Sequence, residues 1–184
     1  MRYYFTSDYH LGHFNIIRYC NRPFKTLEEM NETIIRNHNN RVDLDDVVYH
    51  IGDFCFRNSS GGKEGEGTNN KAKDYYKQLN GQIIFIKGNH DRNNSLKTIT
   101  ERLVIGYGNH RINLVHNPEM ANFNYKINFV GHVHEKWKFK RLTLEDGRTT
   151  DCINVGVDVN KFMPVTFEEL YSGYRKWIKN EFKN

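Results

Sequence analysis

The chain has 184 residues, of which 38% are hydrophobic and 27% are charged, a balance that excludes an intrinsically disordered protein. This length suits one domain over residues 1–184 with a sizeable core. No apolar run reaches the ~18 residues needed to cross a membrane, and the segment MRYYFTSD lacks the apolar centre of a signal peptide, so we expect a cytoplasmic protein.

The net charge bears on the kind of partner, and the cysteines bear on the cellular compartment. A formal net charge of +5 and an isoelectric point near 9.0 mildly favour an anionic partner, such as a phosphate ester, a nucleotide or nucleic acid, although many basic proteins bind no nucleic acid, and no obligate protein partner is evident. Cys20, Cys55 and Cys152 are widely spaced, which predicts thiols in a reducing compartment rather than disulfides or a cysteine zinc site.

Short apolar runs alternate with helical patterns along the first half of the chain, which predicts an α/β fold. RYYFTSD, DVVYHIGD and QIIFIKG predict three strands, the last two buried. TLEEMNETIIRNHNN and AKDYYKQLNG predict helices, the first with a capping box of Thr26 and Glu29. Residues 57–71 are rich in Gly, Ser and Asn and predict a mobile surface loop, interpreted either as a flap that responds to substrate or as a simple insertion.

The second half continues the same pattern. RINLVH, KINFVGH and DCINVGV predict further strands, and FKRLTLEDGRTTDCINV predicts a hairpin that turns on Asp146 and Gly147. TFEELYSGYRKWIKNEF predicts a closing helix with a second capping box, Thr166 and Glu169.

Residues 136–141 predict a strand with one basic and one aromatic face. Lys136, Lys138 and Lys140 alternate there with Trp137 and Phe139. One interpretation is an edge strand blunted by lysines, and the other is a basic track that guides a polyanion.

Most of the predicted strands end in acidic, imidazole or amide side chains: Asp8 and His10, Asp53, Asn89 with His90 and Asp91, His116, and His132 with His134. Ligands bind at the carboxyl ends of strands in open α/β sheets. Any one of these residues could be a turn residue or a buried histidine. Placing all of them together would cost free energy unless they shared a bound charge. This predicts two divalent metals held by imidazole and carboxylate groups, with zinc, manganese or iron as candidates. Asp8 and His10, and likewise His132 and His134, are two residues apart, which predicts that each pair leans to one strand face.

The ordered motif D-x-H … G-D … G-N-H-D … H … G-H-x-H, from Asp8 to His134, resembles that of the calcineurin-like metallophosphoesterase superfamily. LGHFN, YHIGDF and INVGVDVN are similar to segments of small bacterial and phage phosphoesterases without a cap domain. The resemblance implies an α/β (α+β) fold of four layers, a central β-sandwich flanked by helices, with two metals at one end. It implies that Asp8, His10 and His134 hold one metal, that Asn89, His116 and His132 hold the other, and that Asp53 bridges them.

The resemblance also implies a reaction. A hydroxide bridging the metals would attack the phosphorus in line, and His90 would protonate the leaving alkoxide. Asp91 would hold the His90 ring and raise its basicity. Asn89 would ligate through a neutral oxygen, whereas a carboxylate there would cancel charge needed to hold a phosphoryl group.

Other polar residues near the motif have weaker assignments. His13 and Arg92 are candidate phosphate contacts, although a loop hydrogen bond or a solvated position would explain each. His50 is expected in the core or beside the ligands, and His110 is expected to be structural, in a turn before its strand. Asn154 and Asp158 are candidates for supporting the metal rim.

The leading hypothesis is a metal-dependent phosphoesterase that acts on phosphodiesters. One alternative is a nuclease that reads the nucleic-acid backbone through the lysines of residues 136–141. A second is a scaffold that binds proteins without turnover, which the complete motif disfavours because such drift would erode the ligand set.

Overall fold

A computed structural model describes residues 1–56, 70–91, 96–98 and 100–181. Most of the loop predicted at 57–71, and Arg92, lie outside the described residues. Within the described part, no helix is both long enough and apolar enough to cross a bilayer. The cysteines are buried thiols that form no disulfide with one another, as expected.

The described strands form two sheets. The first has the order β3-β2-β1-β9, in which β1 (Tyr3–Thr6), β2 (Val47–Ile51) and β3 (Gln82–Ile86) are parallel and β9 (Val165–Thr166) is antiparallel to β1. The second has the order β4-β5-β6-β8-β7, formed by β4 (Arg102–Tyr107), β5 (His110–Val115), β6 (Ile127–Val130), β7 (Phe139–Thr143) and β8 (Thr149–Asn154). In this sheet β5, β6 and β8 are parallel, and β4 and β7 are antiparallel edges.

Four α-helices flank the sheets in the described residues: α1 (Asn15–Tyr19), α2 (Leu27–Asn39), α3 (Ala72–Tyr76) and α4 (Phe167–Glu181). At α2, the Glu29 N–H donates to Thr26 Oγ1 at 3.1 Å. At α4 the capping box is reciprocal, because the Glu169 N–H donates to Thr166 Oγ1 at 3.3 Å and the Thr166 N–H donates to the Glu169 carboxylate at 2.8 Å. The mixed α/β fold of two sheets flanked by helices is therefore confirmed.

The main core lies where the two sheets face each other, with fully buried side chains from both: Phe5, Ile51, Ile86, Ile112, Leu114, Phe129 and Ile153. The rings of Phe5 and Phe129 meet edge to face with centroids 4.9 Å apart. Leu170 and Tyr174 of α4 extend this cluster. Burying each of these large side chains contributes roughly 1.5–3 kcal/mol, so the sandwich gives the strand ends a rigid base.

The carboxyl ends of the parallel strands meet at one end of the sandwich, which we call the rim. A parallel bridge between Ser7 and Gly156 joins the two sheets there. Because β1, β2, β3, β5, β6 and β8 all run toward this end, the chain segments that follow them converge.

The structure differs from the sequence prediction before β5. β4 was not predicted, and it pairs antiparallel with β5 through a turn at Gly108 and Asn109. His110 is not in a turn before the strand but is the first residue of β5, opposite Tyr107. Its ring packs against Tyr171 with centroids 4.6 Å apart, which agrees with a structural role.

The strand predicted at residues 136–141 is confirmed only from Phe139 onward, where β7 is an edge strand. His134–Lys136 form a 3₁₀ turn, and β7 begins only at Phe139, because the chain must first leave the rim. Lys138 is half-buried and donates to the Val159 carbonyl at 3.4 Å, and burial lowers its pKa. The lysines therefore do not share one strand face, and no continuous basic track forms at 136–141.

A buried polar link ties α2 to the chain that follows β1. The Tyr9 hydroxyl donates to His38 Nδ1 at 2.8 Å, and His38 Nε2–H donates to the Asn80 carbonyl at 2.9 Å. Burial lowers the pKa of His38 to about 4, although the Asn80 carbonyl partly offsets it. His38 is therefore a neutral imidazole near neutral pH.

This link predicts a pH dependence of stability. The pKa of His38 is lower in the folded state than the 6.5 of a free imidazole, so its contribution is fully present above pH 6.5 and is lost as the pH falls toward 4. Between those values, His38→Gln should reduce the slope of the free energy of unfolding against pH by about 1.4 kcal/mol per pH unit. This is the slope that corresponds to one proton. Urea denaturation of both proteins with chelator present, at several pH values, measures the difference. Parallel pH curves would contradict the assignment.

Candidate metal centre

Two groups of metal-ligating side chains lie side by side at the rim. One contains Asp8, His10 and His134, and the other contains Asp53, His116 and His132. Within each group the candidate ligand atoms all lie within 4.8 Å of one another. Asp53 Oδ2 lies 3.2 Å from His116 Nε2 and 3.5 Å from His10 Nε2, so this carboxylate stands between the groups.

Asn89 adds a neutral oxygen to the second group. Its Oδ1 lies 3.1 Å from His116 Nε2 and 2.9 Å from His132 Nδ1. The structure thus brings all seven residues of the predicted ligand set to one place.

The backbone that carries these side chains differs from the prediction. Asp8 and His10 were predicted to lean to one face of a strand, but β1 ends at Thr6 and their φ angles are 59° and 50°. His132 and His134 likewise follow β6, with φ of 71° and 48°. These residues are in the left-handed region, where side chains other than glycine cost about 1–3 kcal/mol each. Left-handed backbone, not strand alternation, aims the side chains.

Two glycines allow the loops to approach. A Cβ at Gly131 would lie 2.5 Å from Asp8 Oδ2 and would collide with the Ser7 hydroxyl. A Cβ at Gly88 would overlap the Asp53 carboxylate. Only a residue without a Cβ fits at these two positions, because the Asp8 and Asp53 carboxylates lie too close. This explains the glycines of the G-N-H and G-H-x-H motifs.

Hydrogen bonds fix which ring nitrogen of two histidines faces the cluster. His116 Nδ1–H donates to the Ile51 carbonyl at 2.8 Å, and His134 Nδ1–H donates to Asp158 Oδ2 at 2.9 Å. In both rings Nε2 is therefore the nitrogen left to ligate, the arrangement that oriented metal-binding histidines show.

His10 provides the test of whether a metal fits. Both ring nitrogens are buried and have no hydrogen-bond partner, although buried polar atoms are nearly always satisfied. Burial holds the pKa of His10 well below its usual range, so the ring is neutral with a lone pair available. A divalent ion between Asp8, His10 and Asp53 would satisfy His10 Nε2, which lies 3.5 Å from Asp53 Oδ2. The residues present therefore fit the metals that the motif implies.

The charges around the cluster favour cations. Burial opposes protonation of His116, but the carboxylates of Asp53 and Asp8 outweigh it and raise its pKa to about 9. Burial likewise opposes protonation of His134, and Asp158 outweighs it and raises that pKa to about 10. Buried carboxylates thus attract positive charge, which metal ions would supply when bound.

Arg22 is a site residue that the sequence did not reveal. Its guanidinium is buried, binds Asp158 through Nε at 2.8 Å and Nη2 at 3.0 Å, and donates to the Asp8 carbonyl at 2.7 Å. Asp158 in turn holds His134. The pair joins residues 136 positions apart, and no local pattern in the sequence indicates such a contact.

Asp91 makes several contacts with backbone. Its carboxylate accepts N–H groups of Asp53 at 2.9 Å, Phe54 at 3.1 Å and Gly88 at 2.8 Å. These bonds tie the loop after β2 to the loop after β3, so Asp91 positions the loops, a role that the sequence did not reveal, and its support of the His90 ring stays a prediction.

His90 lies at the open side of the cluster. Its N–H donates to Asp53 Oδ1 at 2.9 Å, and its exposed ring is 5.3 Å from the His10 ring, measured between centroids. A neighbouring ring, that of His13, lies 6.2 Å away. His90 therefore faces both the ligand groups and solvent.

The remaining candidates lie around the ligand groups or in the core, and the phosphate contact of His13 stays a prediction. His13 is buried and its ring stacks on Phe56 with centroids 4.4 Å apart. His50 lies in the core against Tyr9, with ring centroids 4.7 Å apart. Asn154 donates to the carbonyls of His134 and Trp137 at 2.8 and 2.9 Å, which fixes the chain that carries His134.

Two cavities differ in their relation to the cluster. One of about 290 Å³ opens beside Asn89, His116 and His132. A larger one of about 590 Å³ lies between the β4–β5 turn and α4, at the far end of β5 from His116. The smaller cavity adjoins the ligand groups and is the one relevant to their chemistry.

Known proteins that are similar to this chain include a curated relative and solved structures. The chain is 37% identical over 171 residues to the uncharacterized protein MJ1445 of Methanocaldococcus jannaschii, covering 90% of this chain and 86% of the relative. The crystal structure of AQ665 from Aquifex aeolicus, a protein of unknown function, matches with a TM-score of 0.68 and 25% identity, covering 92% of this chain and 97% of that chain. The phosphoesterase Yfce of E. coli is a more distant likeness, with a TM-score of 0.45 and 16% identity, covering 91% and 82% of the two chains. The calcineurin-like phosphoesterase family model matches residues 1–183, and the chain therefore belongs to the calcineurin-like phosphoesterase family.

Proposed function

We propose that this protein is a metal-dependent phosphodiesterase that uses two divalent ions and a histidine general acid. The observation that carries the proposal is the pair of adjoining ligand groups, with Asp53 between them and an unsatisfied His10 facing them. Bound there, two divalent ions would lower the pKa of water and neutralise charge on the phosphoryl oxygens.

The distances between the candidate ligand atoms support a role for each residue. Asp8, His10 and His134 would hold one ion, and Asn89, His116 and His132 would hold the other, with Asp53 shared. The neutral Asn89 oxygen keeps the site more positive than a carboxylate would, which favours an anionic substrate. Imidazole and carboxylate ligands suit manganese, iron or zinc.

His90 is proposed as the general acid. Its ring is exposed beside the ligand groups, while its N–H bond to Asp53 fixes the backbone from which it projects. A proton held on this imidazole can pass to the leaving oxygen as the ester bond breaks, which such groups commonly accelerate by ~10²–10⁴-fold.

Charge supports diesters over monoesters as substrates. A diester carries one negative charge and a monoester close to two, so a monoester gains more from extra cationic side chains. Two cationic side chains beside the described site already form ion pairs at 2.8 Å. Arg22 pairs with Asp158, and Lys87 pairs with Glu101. The open rim also leaves room for the second ester group, since Asn89, His90 and His132 are exposed.

The turnover test uses bis-para-nitrophenyl phosphate and para-nitrophenyl phosphate with manganese added. We expect faster hydrolysis of the diester, and His90→Ala should lower kcat by at least about 10²-fold while metal content is kept. The matched control is His110→Ala, at a histidine of the far end of β5, which should retain turnover.

Each part of the proposal can fail separately in this test. Unchanged turnover in His90→Ala would remove His90 from the mechanism. A preference for the monoester would overturn the diester assignment. Absence of turnover with manganese, iron and zinc would overturn the enzymatic proposal.

The link from Asp158 to His134 predicts an effect on metal affinity. Replacing the carboxylate in Asp158→Asn weakens the bond that orients His134 and leaves Arg22 without its anionic partner. Loss of such a supporting partner commonly lowers metal affinity by ~10–100-fold. Titration with manganese by calorimetry measures this, with Asp146→Asn in the exposed hairpin turn as the matched control. Equal affinity of the Asp158→Asn and control proteins would contradict the role.

A further inference from the structure

Beside the metal centre, two exposed aromatic side chains lie in α1 and directly before it. Tyr19 is 61% exposed and Phe14, directly before the helix, is 42% exposed, whereas Ile16 between them is buried. A single exposed apolar side chain is ordinary on a protein surface, so the position of Tyr19 relative to the ligand groups decides whether it can serve the site.

Tyr19 is connected to the site through His13. The Tyr19 ring meets the His13 ring edge to face with centroids 6.3 Å apart, and His13 lies 5.5 Å from His10. The His13 ring also stacks on the Phe56 ring, with centroids 4.4 Å apart and an angle of 17° between the ring planes. These contacts place Tyr19 outside the ligand groups, on the side of the centre where His13 lies.

His90 lies toward the same flank of the centre. Its ring is 6.2 Å from that of His13 and 5.3 Å from that of His10. A general acid must stand beside the oxygen that it protonates, so the leaving group departs on this side. The cavity of about 290 Å³ beside Asn89 and His132 is then open to the retained ester group.

One further feature suits an anionic substrate with a planar group. The Arg18 guanidinium lies 5.6 Å from the Tyr19 ring centroid and adds positive charge at the same position.

We propose that Tyr19 is a stacking platform for a planar ring on the leaving group, so that the preferred substrates are diesters whose leaving alcohol is a nucleoside or an aryl alcohol. The inference rests on the proposed phosphodiesterase function and deepens it. Stacking on a tyrosine holds the ring before and during bond cleavage alike, so its loss raises KM more than it lowers kcat.

The test compares methyl para-nitrophenyl phosphate with methyl trifluoroethyl phosphate, using the manganese-loaded protein. The two diesters share the retained methyl group and differ in whether the leaving group carries a ring. Tyr19→Ala should raise KM for the aryl ester about tenfold, the effect of one lost stacking contact, with kcat within about twofold and the trifluoroethyl ester unaffected. Tyr19→Phe, which keeps a ring, should behave as the wild type.

The control variant is Leu44→Ala, at a side chain that is 76% exposed just before β2, at the end of the sheet opposite the rim. It should leave the kinetics of both esters unchanged. If Tyr19→Ala affects both esters equally, or neither, the platform is overturned while the phosphodiesterase function stands. If the wild-type protein hydrolyses neither ester, the proposed function itself fails.

Discussion

The structure depends on two carboxylates that are buried where the sheets meet. Asp8 is 0% exposed and Asp53 is 1% exposed, and the strands that precede them, β1 and β2, are neighbours. Removing ionised carboxylates from water is costly unless positive charge or hydrogen-bond donors compensate. The surroundings supply both kinds of compensation: His116 and His134 have raised pKa values, the His132 N–H donates to Asp8 at 3.0 Å and the His90 N–H donates to Asp53 at 2.9 Å. Metal binding would complete this compensation.

Holding the carboxylates there requires strained backbone, which the rest of the fold supports. Asp8, Asp53 and His132 all have positive φ, and so do His10 and His134. Strain of this kind persists only when neighbouring structure over-determines it. Asp91 does so by accepting three backbone N–H groups from two loops, and the Arg22–Asp158 pair does so by joining the chain after β1 to the support of His134. The apolar core between the sheets fixes the strands from which these loops leave.

The sequence predicted the parts of the site that follow from strand direction. Polar residues after parallel strands meet at one end of their sheet, and for that reason Asp8, Asp53 and Asn89 could be grouped without coordinates, whereas His116 follows a strand of the second sheet. The G-H-x-H and D-x-H spacings were recognised, but their geometry was misjudged, since period-two alternation applies to strands and these residues lie beyond them. The same assumption produced the error at Lys136 and Lys138, where the chain turns before β7 starts.

Contacts between distant segments were beyond sequence reasoning. Asp158 was a candidate for supporting the metal rim, but Arg22 lies outside every recognised motif, and their pairing depends on how the loop after α1 reaches the segment after β8. Asp91 was recognised as a polar neighbour of His90, yet only the fold reveals that its oxygens face backbone N–H groups. Tyr19 lies outside every recognised motif, and its exposure beside His13 is a property of the folded chain.

The number of metal ions bound per chain tests the central claim most directly. Protein stripped with chelator, dialysed against manganese and then washed of excess ion can be measured by elemental analysis. The two ligand groups that share Asp53 predict about two ions per chain. A value below one ion per chain, with iron and zinc giving the same result, would contradict the account, because the buried carboxylates would then be compensated by protons and hydrogen bonds alone.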